Sequence, residues 1–174
     1  MMFSCNPQQL ISFLVRKKYA SYFGRSKGVR MNADNILERL KNSPFRARFH
    51  LDNAEREYAE KQGMKTLRRH AEDFIRQRLA PASIPNDGRQ TPMRGHPVFV
   101  AQHACACCCR GCMEKWHHIQ KGSELTQAQQ AFVVNLLMEW IIREIELKEP
   151  EKQRSATKTA KKKKIAQLAL PGLE

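Results

Sequence analysis

The sequence predicts a mainly α protein: a small single domain of about four to five helices, with a long Pro/Gly loop lying over a Cys/His metal site. Three observations predict it. Between Gln127 and Leu147, the residues Val133, Leu136, Leu137, Trp140, Ile141 and Ile145 recur at helical spacing and form one apolar stripe. Residues 80–98 contain Pro81, Pro85, Asp87-Gly88, Pro92, Gly95 and Pro97, a density of breakers that no regular element accommodates. Residues His103 to His118 read His-Ala-Cys-Ala-Cys-Cys-Cys-Arg-Gly-Cys-Met-Glu-Lys-Trp-His-His, five cysteines and three histidines in sixteen residues.

Taken in order, residues 1–30 carry six Lys or Arg and no acid, and suggest a short helix around Gln8 to Tyr22 followed by a break from Gly24 to Gly28. This basic N-terminal extension has the composition of a targeting peptide, a nucleic-acid arm or a segment outside the working domain. Met31 offers an alternative start, and the globular pattern occupies residues 31–147. A short helix is expected at Asn35–Lys41 and is ended by Pro44. Phe45, Phe49 and Leu51 then supply apolar anchors among Arg46, Arg48 and His50. Asp52 or Asn53 caps a helix running to Gln62, which Gly63 interrupts. Met64–Leu79 follows as a second helix with Leu67, Ala71, Phe74, Ile75 and Leu79 on one face and His70 at its edge. Val98–Ala101 reads as a strand-like apolar run. After the cysteines, Gly122-Ser123 is a break and Thr126 caps the last helix.

The bounds on function come from composition. At 174 residues with 41% hydrophobic content, the chain can bury one real core. Five of its six cysteines are crowded together and the run Leu10 to Val15 lacks a cleavage site, so a reducing, cytoplasmic setting is expected and no membrane span. The net charge of +14 sits mostly in the ends. Residues 1–30 carry +6 and residues 148–174 carry +5, whereas 31–147 hold seventeen basic against fourteen acidic side chains. Basic ends of this kind contact nucleic acid through phosphates, or simply stay solvated. Residues 148–174 read as a disordered basic tail with Lys161 to Lys164 and a hydrophobic end. There Gln167, Leu168 and Leu170 resemble the peptide by which replication and repair proteins dock on a sliding clamp. A tail that packs on its own domain is the plain alternative.

The cysteine-rich stretch carries the chemistry. Cys109 and Cys112 form a C-x-x-C pair and His117 follows after four residues, a donor set of soft sulfur and imidazole nitrogen that suits zinc. His103 and Cys108 are the main candidates for the remaining position. Four protein ligands would make the site structural, and three with a water would make it catalytic. Redox-active thiols and buried, inert cysteines are the competing readings. Arg110 and Lys115 are expected to lower neighbouring thiol pKa values. Cys105 and Cys107 read as packing positions and Trp116 as a core anchor. In the preceding loop, Arg94 and His96 are candidates for anion binding or acid-base work, or else they anchor the loop.

Phe45-Arg-Ala-Arg-Phe-His50, Arg69-His-Ala-Glu-Asp-Phe-Ile75, Arg78-Leu-Ala-Pro-Ala, Ile84-Pro-Asn-Asp-Gly88, Gln90-Thr-Pro-Met-Arg-Gly-His-Pro-Val-Phe99, Ala101-Gln-His-Ala and Cys108-Cys-Arg-Gly-Cys-Met-Glu-Lys-Trp-His117 occur in this order. Together they resemble an uncharacterised bacterial and phage family, domain of unknown function 4186, over about residues 35–147. That family has threonines where this chain has Cys105 and Cys107, and glycine where it has His118. The resemblance therefore implies that these three are bystanders, leaving His103, Cys108, Cys109, Cys112 and His117 as the metal set, and it implies no reaction. The expected function is a zinc-stabilised binding protein of DNA metabolism or of a phage or mobile element. A metal-dependent hydrolase or nuclease and a thiol redox sensor are the alternatives.

Overall fold

A computed structural model describes residues 27–147, with side chains from residue 33 onward. The helix expected at Gln8 to Tyr22, the lysine-rich tail and the peptide containing Gln167, Leu168 and Leu170 lie outside the described residues. Six helices make up the rest: α1 Lys27–Lys41, α2 Pro44–Ala47, α3 Asn53–Arg78, α4 Pro97–Ala104, α5 Arg110–His117 and α6 Gln127–Glu146. Among the described residues there is no strand, and no helix is long and apolar enough to cross a membrane.

The core forms where α3, α4 and α6 meet. Leu67, Ala71 and Ile75 of α3, Val98, Val100 and Ala101 of α4, and Val133, Leu136, Leu137 and Ile141 of α6 are all fully or almost fully buried. Each large side chain among them contributes about 1.5–3 kcal/mol by leaving water. Trp140 and Ile145 complete the expected α6 stripe at the margin of the core.

Local chemistry fixes the helix ends. Asp52 is the cap of α3: its carboxylate accepts from Glu55 N at 2.8 Å while the Glu55 side chain accepts from Asp52 N at 3.0 Å. Thr126 and Gln129 make the same reciprocal pair at the start of α6. Within α3 the helical path breaks at Gly63, whose φ of 75° and ψ of 158° belong to a region open essentially to glycine alone. A Cβ there would meet nothing within 4 Å, so the requirement is one of backbone and not of space.

Three expectations are corrected. The first helix is longer than Asn35–Lys41 and begins at Lys27. Pro44 does not merely follow a helix end but opens the single turn α2, where its missing N–H is no loss. Val98–Ala101 is not a strand but the first half of α4, which Pro97 opens. Seven of the eight α4 residues are buried, so no amphipathic period survives to distinguish helix from strand over so short a run.

The long loop does lie over the cysteines, and charged groups hold it there. Arg94 donates to Glu55 Oε2 at 3.1 Å and to the His50 carbonyl at 2.7 Å, and Gly95 N donates to Glu55 Oε1. Glu144, buried on α6, receives His50 Nδ1, Leu51 N and Arg56 Nη2 at 3.0–3.1 Å.

His96 ends the loop and caps α4. Its Nδ1 accepts from Val98 N at 3.1 Å, so the neutral ring carries its proton on Nε2, which faces His70 Nδ1 at 3.1 Å and donates to it. A second proton could go only onto Nδ1, against the Val98 N–H, among the rings of Tyr58, Phe74 and Phe99. Burial, and secondarily the neighbouring His70, push His96 from 6.5 down to about 4. Between those values the unfolded chain binds a proton that the folded chain refuses, so the His96 contribution is complete above pH 6.5 and is lost as pH falls toward 4. His96→Asn keeps a capping oxygen but has no proton to accept. Its urea midpoint should therefore decline less steeply than that of the wild type across this interval, and parallel declines would refute the assignment.

Candidate metal centre

The site is assembled by two consecutive helix ends. At the C-terminus of α4, Cys105 N donates to Ala101 O at 2.8 Å and Cys107 N reaches back to Gln102 O at 2.7 Å. This closure needs a left-handed residue, supplied by Ala106 at φ 55°. Gln102 Nε2 holds the Cys107 carbonyl at 3.1 Å from inside the core, and Thr91 Oγ1 holds the Cys108 carbonyl at 2.8 Å from the loop. Cys109 then takes extended backbone angles and caps α5, its sulfur accepting from Cys112 N at 3.4 Å. Asp87 completes that helix start by accepting from Arg110 N at 2.9 Å.

Capping by a thiol brings sulfurs together. Cys108 Sγ and Cys112 Sγ stand 3.6 Å apart, and the sulfurs of Cys108, Cys109 and Cys112 all lie within 4.8 Å of one another. The edge of a tetrahedron with metal–sulfur bonds of about 2.3 Å is about 3.8 Å long, so the Cys108–Cys112 separation is close to one edge of such a site.

Its one charged contact among the described residues comes from Arg46 on α2, which in sequence is one basic residue among apolar anchors. Arg46 is 7% exposed. It donates through Nη2 to Cys112 Sγ at 3.0 Å, and through Nη1 to the His103 carbonyl at 2.6 Å and to Cys108 Sγ at 3.8 Å. No carboxylate is paired with it among the described residues. Burial disfavours its charge, and the Cys112 and Cys108 sulfurs more than offset that, leaving its pKa raised. Hydrogen bonds from the Cys108 and Cys109 thiols, followed by Arg46, hold Cys112 well below the ordinary thiol range, while hydrogen bonding to Cys109 and Cys112, with burial, drives Cys108 up. Within the metal-free trio, Cys112 is thus the sulfur most readily ionised.

The other sequence candidates are distributed around this centre. His103 is buried, stacks on Phe49 and turns Nε2 to the Thr91 carbonyl at 3.3 Å. His117 turns Nε2 to the Cys105 carbonyl at 2.8 Å and touches Cys107 Sγ at 3.5 Å. Neither imidazole joins the trio. Arg94 bonds to Glu55 and the His50 carbonyl, and His96 to Val98 N and His70, so both side chains anchor the loop. Cys105 and Cys107 are fully buried, and His118 is exposed at the left-handed end of α5.

One electrostatic expectation changes hands. Lys115 is exposed, and Arg110 points its guanidinium at the carbonyls of Leu79, Ala80, Pro81, Gln120 and Ser123 instead of at the sulfurs. Arg110 therefore ties two loops together, and Arg46 supplies the charge. The sequence signal for Arg46 was its place between Phe45 and Phe49, but nothing local reveals a contact made across more than sixty residues.

Residues 34–142 match the family model described as domain of unknown function 4186, and the chain belongs to that family. Arg46 and the three cysteines fall inside the matched span. No solved structure matches the chain.

Removing the guanidinium should be felt by the thiolate. In metal-free protein, ultraviolet thiolate absorbance followed against pH should show the first ionisation moving up by about one pH unit or more in Arg46→Met, and much less in Arg46→Lys. Unchanged titration in both would mean that Arg46 does not stabilise the charge.

Proposed function

We propose that this member of the domain of unknown function 4186 family is a zinc-binding protein in which Cys108, Cys109 and Cys112 hold the ion and Arg46 is its buried counter-charge. One observation carries the reading: a buried guanidinium, without a carboxylate partner among the described residues, contacts two of three sulfurs clustered at ligand spacing. Isolated buried charge is expensive. Three thiolates on a divalent ion leave one negative charge, which the guanidinium cancels, so loading the site produces a neutral unit that a half-buried pocket tolerates. Soft sulfur donors select zinc over the hard cations.

Such an ion would link the N-terminus of α5 to the segment leaving α4, with α2 attached through Arg46. That favours a zinc-stabilised binding domain over a metal hydrolase, since Arg94 and His96, the groups that could assist hydrolysis, are engaged in holding the loop.

Protein purified without chelator should carry one zinc per chain. Cys108→Ser, Cys109→Ser and Cys112→Ser should each abolish or sharply weaken binding, whereas Cys105→Ser should retain it. Free zinc at a hundred times the dissociation constant should stabilise the fold by about 2.7 kcal/mol, read from denaturant midpoints with and without chelator. Zinc-independent stability together with full metal content in the triple serine variant would sink the reading.

The charge distribution favours a second role. The excess of +6 in residues 1–30 and +5 in residues 148–174 supports contact with a polyanion such as nucleic acid. The chain should then bind DNA with strong salt dependence, and removal of residues 148–174 should weaken the binding and flatten that dependence. Undiminished binding by the shortened chain would assign the contact elsewhere.

A further inference from the structure

Three buried side-chain nitrogens have no hydrogen-bond partner among the described residues: Arg56 Nη1, Arg110 Nε and His117 Nδ1. The first two belong to guanidiniums that make several other bonds. His117 Nδ1 is different in kind. The Cys105 carbonyl, 2.8 Å from Nε2, can only accept, so Nε2 carries the ring proton and Nδ1 is a bare, buried lone pair.

An imidazole prepared to bind a metal has this arrangement: one N–H anchored on a backbone carbonyl, which fixes tautomer and ring orientation, and the other nitrogen free to donate. His103 does not share it, for its ring leaves no buried nitrogen without a partner. The same Nε2 lies 3.5 Å from Cys107 Sγ, so the ring flanks the short segment that runs directly into Cys108.

We propose that His117 Nδ1 is the fourth protein ligand of the ion held by Cys108, Cys109 and Cys112, closing a three-sulfur, one-nitrogen site. The assignment rests on the reading of the trio as a metal site. His117 gives its lone pair without releasing a proton, and protons leave only the cysteines. Because its ligand atom lies outside the 4.8 Å set of the three sulfurs, loading draws the last turn of α5 toward them. The left-handed His118 and Gly122, at φ 57° and 80°, mark the non-helical chain that takes up the change.

The test is zinc titration of the full chain with 15N-labelled histidine, together with X-ray absorption at the zinc edge. The expected result is a large shift of the His117 Nδ1 resonance on zinc addition, with three sulfurs and one nitrogen around the ion. His117→Gln, which retains a donor for the Cys105 carbonyl, should lower zinc affinity at least about tenfold and replace nitrogen by oxygen, and His103→Gln should leave the coordination intact. The wild-type spectra decide the matter even if His117→Gln folds poorly. Zinc bound with His117 Nδ1 unmoved, whether the fourth atom is a water oxygen or a sulfur, overturns this assignment and leaves the trio standing. No bound zinc overturns the trio reading and this assignment with it.

Discussion

Arg46 faces the constraint on which the site depends. A guanidinium cannot shed its proton at any ordinary pH, so a buried one must find negative charge or many acceptors. Around Arg46 the structure supplies one carbonyl and two sulfurs. Sulfur satisfies that need only when ionised or bound to a metal, so the arginine and the thiolate each make the other's burial tolerable. This mutual dependence also explains why a four-residue helix with no side-chain cap persists at residues 44–47: its central side chain is fixed at the far end.

The helix ends do the positioning. Ordinarily an N-cap is Ser, Thr, Asp or Asn, whose oxygen satisfies a free backbone N–H. Cys109 occupies that place with a weaker acceptor, and the same geometry that caps the helix folds Cys112 back above it at the i+3 position. Likewise Ala106 adopts a left-handed conformation that glycine would accept more easily. The chain accepts a weaker cap and a less comfortable turn in consecutive elements, and in both places the result is a cysteine aimed at the centre.

Much of this was legible in sequence because it is local. Helical spacing found α3 and α6, turn residues found the loop, and C-x-x-C spacing found the centre of the site. What escaped was whatever depends on contacts distant in sequence. Arg46 looked like any basic residue between two phenylalanines. Arg110 sits among the cysteines and in sequence reads as their charge partner, yet its side chain leaves them for five carbonyls on two loops. Val98–Ala101 was mistaken for a strand because burial on every side erases the period that identifies a helix. The Arg94 and His96 pair reads in sequence either as chemistry or as loop anchors, because polar residues in a long loop serve both ends. In the fold they are the fastenings that hold the loop in place.

The way α5 is secured shows what an ion would add. α3, α4 and α6 pack extensively on one another, whereas α5 has no comparable helix–helix interface. It is retained by Met113 in the core, by Arg110 reaching to the loops, by Asp87 at its first N–H, and by the sulfurs at its N-terminus. An eight-residue helix has little intrinsic stability in water, so these few attachments determine whether it forms. Coordinate bonds at its first turn would replace weak sulfur hydrogen bonds with the strongest attachment available, at the element whose packing supplies least. A metal placed there would therefore act on a short helix that packs little against the other helices.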